Sequence, residues 1–293
     1  MKLAEIYQQH SFALSFEIYP PKTHAGYDNL YQAVAQLIPY DPGFISCTYG
    51  AGGSTRTQTL EIITEILQRH SVGVTAHLTC VGSTVTDICH WLTDAKSRNV
   101  HNVMALRGDP PQGEEKFQKV EGGLEHANEL VTVIRERFPD FGIGVAAYPE
   151  THQEAPSAEI DLQNLKRKVD AGADAVFTQL FYENEDFFRF REGCHTLGID
   201  KPIIPGILPI VSFPQIQRIT QLCKAKIPMK LQQALQQCGE DKAAQQEVGI
   251  EHASKQCEEL VQAGVPGIHF YVLNRAEATS RILDNLSLTS QAD

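Results

Sequence analysis

Short apolar runs alternate with amphipathic stretches along nearly the whole chain. The runs predict strands at Leu14–Ile18, Gly43–Thr48, Gly73–Leu78, Asn102–Leu106, Gly142–Ala147, Ala175–Gln179, Ile203–Leu208 and Gly267–Tyr271. Several of them, such as GFISC, VGVTAHL and IGVAAY, are apolar without a polar alternate, as in strands buried on both faces of a parallel sheet. Between them, apolar residues recur at helical spacing: Leu60, Ile63, Ile66 and Leu67; Leu130, Val131 and Ile134; Leu162, Leu165 and Val169. Strand and helix alternating eight times predict a closed (β/α)8 barrel of TIM type, one α/β domain over residues 1–293. An open doubly wound sheet is the alternative. Against it, no G-x-G-x-x-G follows a strand, and Gly50, Gly52 and Gly53 have the wrong spacing for one. The segment Pro228–Lys255, rich in Gln, Lys and Glu, reads as extra helix before the last strand.

Composition narrows the class of partner. Apolar residues make up 42% of the chain and charged residues 21%, and the net charge is −11. That balance argues against nucleic acid or an anionic membrane as main partner, since both require a basic footprint. No apolar run approaches the ~20 residues of a membrane span, and the first residues lack the apolar stretch of a signal peptide. A cytoplasmic location is expected. Seven cysteines are scattered without a CxxC pair, which fits idle thiols better than a zinc ribbon or a redox dithiol.

In a barrel of this kind the chemistry gathers at the C-terminal ends of the strands. Glu17 closes an apolar first strand. Burial would push its pKa upward, as suits a general acid near neutral pH, unless a cation of the barrel floor pairs with it. Asp109 follows Arg107-Gly108, where the glycine permits close approach of a flat ligand; a turn Asp paired with Arg107 is the plainer reading. His77, with Cys80 three residues on, would suit a metal only with further ligands, and no second pair stands at metal-like spacing. Asp161, Asn164, Arg167 and Lys168 share one helical face opposite Leu162, Leu165 and Val169. Two cations with short polar groups suit a diphosphate and a ribose, and a solvated salt-bridged face is the alternative.

The ordered strings SFEIYPPK, SCTYGAGG, AHLTC, ALRGDPP, VAAYPETH, DLQNLKRKVDAGAD, TQLFY, IIPGILPI and HFYVLNRAE resemble the methylenetetrahydrofolate reductase family over nearly the whole chain, and the length is similar to that of the short bacterial form. The resemblance implies an FAD-dependent barrel enzyme. It would reduce 5,10-methylenetetrahydrofolate to 5-methyltetrahydrofolate for methionine synthesis, with hydride passing from NADH or NADPH to flavin and then to folate, each substrate using one site in turn. It implies that Glu17 is the catalytic acid and that Asp109 lies beside flavin and pterin. Gln179, Gln215 and Arg275 would contact folate, and Thr48 the nicotinamide nucleotide. The implied FAD set is Tyr49, Ala51, His77, Arg107, Gly108, Asp109, Ala127, Tyr148, His152, Ala155, Asp161, Asn164, Arg167 and Lys168. A homo-oligomer is expected, as family members commonly associate. His126 stands where the family often has Tyr, and Ile219 where some members place a stacking Phe. The competing readings are a proline-dehydrogenase-like flavin barrel, an aldolase-like phosphate-ester barrel and a flavin- or folate-binding module without catalysis. The strand-seven and strand-eight ends lack the glycines of a phosphate loop, and a binding module has no need of an acid at Glu17.

Overall fold

The computed structural model describes residues 1–49, 56–110, 113 and 117–286. Nine strands form one parallel sheet: β1 (Ala13–Ile18), β2 (Phe44–Cys47), β3 (Val74–Thr79), β4 (Asn102–Leu106), β5 (Gly142–Ala147), β6 (Ala175–Thr178), β7 (Ile203–Ile204), β8 (Gly206–Ile207) and β9 (Gly267–Tyr271). The strands pair in the order β7-β6-β5-β4-β3-β2-β1-β9-β8. The expected seventh strand is therefore present but cut in two at Pro205. Proline has no N–H to give to a ladder, so pairing changes partner there. β7 pairs with β6, and β8 pairs with β9. The Pro205 carbonyl still accepts the His269 N–H at 3.0 Å. This one broken run joins both margins of the sheet and closes it into a barrel. Gly206 makes the closure possible, because a Cβ there would lie 2.2 Å from the Thr178 carbonyl oxygen and 2.7 Å from the Tyr271 ring.

Eleven α-helices accompany the strands among the described residues: α1 (Leu3–Gln9), α2 (His24–Leu37), α3 (Arg56–His70), α4 (Val85–Ser97), α5 (Ala127–Arg137), α6 (Ala158–Asp170), α7 (Asn184–Thr196), α8 (Phe213–Cys223), α9 (Met229–Gln237), α10 (Lys242–Gln262) and α11 (Glu277–Asn285). The extra helix expected over Pro228–Lys255 is two helices, α9 and most of α10. They are parted at Gly239, whose φ of 56° ends the first.

Strand residues alternate in fate. Phe16, Ile45, Cys47, Ala76, Leu78, Val103, Val145, Val176, Ile268 and Phe270 point outward into the main core under the helices. Each of the valines, leucine, isoleucines and phenylalanines among them contributes about 1.5–3 kcal/mol when fully buried, so this outer layer holds the helices on. The inward set is mixed. At the N-terminal end, Phe44, Met104, Phe177 and Ile204 form an apolar layer with Leu3 and Ile6 of α1, which stoppers that end. The Leu3 N–H donates to the Asn102 side chain at 2.8 Å and ties α1 to β4. Above this layer the inward positions turn polar: Ser15 and Glu17 on β1, Ser46 on β2, Thr75, His77 and Thr79 on β3, and His269 on β9. A separate apolar cluster, including Leu208, Ile216, Leu231 and Leu235, seats α8 and α9 beside the C-terminal mouth.

Candidate active site at the barrel mouth

A cavity of about 780 Å³ opens at the C-terminal ends of the strands. At its base, Glu17 retains 17% side-chain exposure between two histidines. Its Oε2 lies 3.1 Å from His77 Nε2 on β3 and 3.4 Å from His269 Nε2 on β9. The β1–β9 register, with Ser15 opposite His269 and Glu17 opposite Tyr271, brings these groups to one level. Ser15 Oγ is 2.8 Å from His269 Nδ1. With Glu17 ionised, the imidazole donates from Nε2 and the serine hydroxyl donates to Nδ1. The expected rise of the Glu17 pKa is not found. Burial, the largest single influence, does push it up, but the charge of His77 and the polar contacts with both imidazoles outweigh burial and hold the carboxyl at about 2. Desolvation was legible in the sequence; the meeting of His77 and His269 with Glu17, from strands distant in sequence, was not.

The β4 and β5 ends build the opposite wall. Arg107 makes a two-point ion pair with Glu154, Nη1 to Oε2 at 2.6 Å and Nη2 to Oε1 at 2.8 Å, and its guanidinium lies over the Phe117 ring. This pair spans the two loops; the plainer alternative, Asp109 paired with Arg107, is not the one adopted. Asp109 stays exposed on the cavity wall. Gly108 has φ 88°, and a Cβ would lie 2.8 Å from Val81 Cγ1, so only glycine fits between the loop and β3. Past β5, Tyr148 packs edge-on against His152, with ring centroids 4.5 Å apart. The Glu154 N–H donates to His152 Nδ1 at 3.1 Å, which assigns the neutral tautomer protonated on Nε2. Burial lowers the His152 pKa in the same sense.

The helical face expected from Asp161, Asn164, Arg167 and Lys168 lies on α6 and lines the cavity. Ser157 caps this helix by accepting the Ile160 N–H, a contact worth about 1 kcal/mol. Asp161 accepts the His152 N–H at 2.7 Å and fixes the β5–α6 loop to the helix. Arg167 donates to the Asn164 side chain at 2.8 Å. Lys168 is half-buried and donates to the Ala146 carbonyl; burial draws its pKa down to about 8.

Glu17, Thr48, Tyr49, His77, Arg107, Gly108, Asp109, Ala127, Tyr148, His152, Ala155 and Gln179 line the same cavity with the α6 face. Ala51 lies outside the described residues. Gln215 and Arg275 are exposed and stand off the cavity wall. Gln215 is one helical turn before Ile219, and Arg275 two residues after Leu273; both Ile219 and Leu273 line the cavity. His269, Phe177 and Glu154 line the cavity too and were not singled out in the sequence. The first was within reach: in GIHFY, His269 shares parity with Tyr271, as Ser15 does with Glu17 on β1. Glu154 had no signal, since it acts through a loop contact.

The fold and cavity define a (β/α)8-barrel protein with a buried carboxyl clasped by imidazoles on one side of its mouth and a cationic helix face on the other. The family model for methylenetetrahydrofolate reductase matches residues 2–287. Among relatives, "Methylenetetrahydrofolate reductase (NADH) 1" of Arabidopsis thaliana is 40% identical over 99% of this chain and 51% of its own length. The "5,10-methylenetetrahydrofolate reductase" of Escherichia coli K12 is 38% identical over 98% of this chain and 94% of its own. The chain thus spans about half the length of the plant relatives it matches. It belongs to the methylenetetrahydrofolate reductase family. Among solved structures, a Clostridium thermocellum protein that binds two copies of 5-methyl-5,6,7,8-tetrahydrofolic acid superposes with a TM-score of 0.66 at 15% identity, covering 98% of this chain and 99% of that one. An oxaloacetate acetylhydrolase superposes at 0.53 with 10% identity, covering 99% and 86%. Both likenesses speak for the barrel alone.

Proposed function

We propose that this chain reduces 5,10-methylenetetrahydrofolate to 5-methyltetrahydrofolate with FAD as cofactor and a nicotinamide nucleotide as donor. The observation that carries the reading is the shared cavity: Glu17 with its histidines and the polar face of α6 open into one space. The donors fit FAD. Arg167 and Lys168 offer two cations for a diphosphate, and Asp161 and Asn164 offer short polar groups for a ribose; Gly108, whose missing side chain lets the β4 end close on Val81 and Thr79, lines the same cavity. Tyr49, Ala51, His77, Arg107, Ala127, Tyr148, His152 and Ala155 complete the proposed set. When bound, flavin supplies the hydride chemistry.

The protein supplies binding, orientation and proton control. Glu17 is the proposed acid for opening the methylene-bridged ring. Substrate on the mouth would strip the remaining water from its carboxyl and so push its pKa upward from about 2, in the direction of the proton-carrying form that the step needs. Asp109, on the cavity wall, is the proposed hydrogen-bond partner of the pterin beside the flavin, and Gln179, Gln215 and Arg275 are the proposed folate contacts. Thr48 is the proposed contact to the nicotinamide nucleotide, and NADH is the donor named for the plant relatives. The product would feed methionine synthesis. The test is anaerobic: NADH should bleach the flavin absorbance of the purified protein, and methylenetetrahydrofolate should restore it with formation of the 5-methyl product. A protein that takes up no FAD, or one whose colour folate does not restore, refutes the reading.

A further inference from the structure

At the end of β9 two consecutive residues, Leu273 and Asn274, have φ of 49° and 56°. Left-handed backbone is tolerated by Asn and is unfavourable for a bulky residue such as Leu. Strain of this kind persists only where surrounding contacts impose it, and it concentrates at functional sites. The contacts are visible. Asn274 is 7% exposed, and both ends of its amide are engaged by one residue. Its Oδ1 accepts the Tyr19 N–H at 3.0 Å, and its Nδ2 donates to the Tyr19 carbonyl at 2.9 Å. The amide thus pairs with the main chain of Tyr19 as a strand would. It prolongs the β1–β9 pairing, which ends at Glu17 opposite Tyr271 and continues with the Val272 N–H on the Glu17 carbonyl at 3.2 Å. The Arg275 N–H then closes the corner on the Val272 carbonyl at 2.9 Å. Leu273, held between, lines the same cavity as Glu17 and Tyr271.

We infer that Asn274 is a positioning residue for the folate step: its amide locks the Leu273 corner to the strand end that carries Glu17, and so sets the gap between the acid and the wall on which the folate lies. The inference rests on the reductase reading above. A residue tolerated only for its left-handed backbone would be replaceable by glycine, whereas the amide clamp is not. The experiment therefore compares Asn274→Gly and Asn274→Asp with wild type, the second keeping the acceptor for Tyr19 N–H and losing the donor. FAD content, bleaching by NADH and recovery of colour with methylenetetrahydrofolate are measured separately. In Asn274→Gly the folate step should slow by about 10²-fold, as a misplacement near 1 Å does, with FAD retained and bleaching by NADH little changed. Asn274→Asp should show the same split at smaller size, and it carries the test if the glycine variant does not fold. A folate step at the wild-type rate in Asn274→Gly overturns the inference alone. Equal loss of both steps, or loss of FAD, in every variant that folds overturns it in favour of a structural role. Failure of wild type to regain colour overturns the reductase reading and the inference with it.

Discussion

Glu17 shows how much a carboxyl owes to its neighbours. Burial alone would favour its neutral form, yet His77 and His269 hold it ionised at a pKa of about 2. A folded-state pKa below the unfolded value of 4.5 means a stabilising contribution that is whole above about pH 4.5 and is lost as the pH falls toward 2. The shift corresponds to up to about 3 kcal/mol. Urea titrations between pH 2 and 6 should therefore show wild type losing stability relative to Glu17→Gln as acid is added; parallel curves would mean that the histidines do not bias the carboxyl. In catalysis, Glu17→Gln should keep bleaching of the flavin by NADH and lose folate turnover by at least about 10²-fold, measured as the two steps separately. Loss of both in equal measure would make Glu17 a residue of the fold. Lys168 carries the opposite sense. Its pKa of about 8 reflects burial of an ammonium, and a diphosphate beside it would favour the charged form. FAD binding would then take up a proton and weaken as the pH rises through 8, and Lys168→Met should flatten that dependence in a fluorescence titration of affinity.

At the scale of the element, α6 is where sequence and structure agree most closely, because its cue was local: polar residues at spacings of three and four on one face and apolar ones on the other. Arg167→Ala combined with Lys168→Ala should raise the FAD dissociation constant by at least tenfold, equivalent to about 1.4 kcal/mol; unchanged retention would return this face to solvent. A second reporter lies on α4. Trp91, the only tryptophan, meets Tyr49 edge-on at 6.2 Å between centroids, and Tyr49 lines the cavity. FAD uptake should quench its emission. Strand positions were likewise legible, since apolar runs mark them whatever they pair with. The break at Pro205 was hidden in an apolar string, IIPGILPI, because hydropathy does not register a missing N–H. Helix α1 went unread because its seven residues bury only Leu3 and Ile6, too few for a periodic signal. The Arg107–Glu154 and Ser15–His269–Glu17 contacts join residues 47 and more than 250 apart, and such pairings follow from closure of the sheet.

For the whole molecule, closure hangs on a narrow place. Gly206→Ala would drive a methyl into the Thr178 carbonyl and the Tyr271 ring, whose hydroxyl donates to that same carbonyl at 2.6 Å. The expected cost is about 3 kcal/mol or more, read as a fall in melting temperature with loss of FAD uptake. An unchanged melting temperature would show that β7 and β8 can part without harm. The stopper at the other end has its own consequence. With α1 in place the barrel is a vessel, wet at the rim and dry at the base, and Glu17 sits near the waterline. Removing residues 1–9 would bare the underside of the layer formed by Phe44, Met104, Phe177 and Ile204. Two of those rings, Phe44 and Phe177, pack on His269, the imidazole 3.4 Å from Glu17. Loosening at the sealed end would therefore reach the acid through its own histidine.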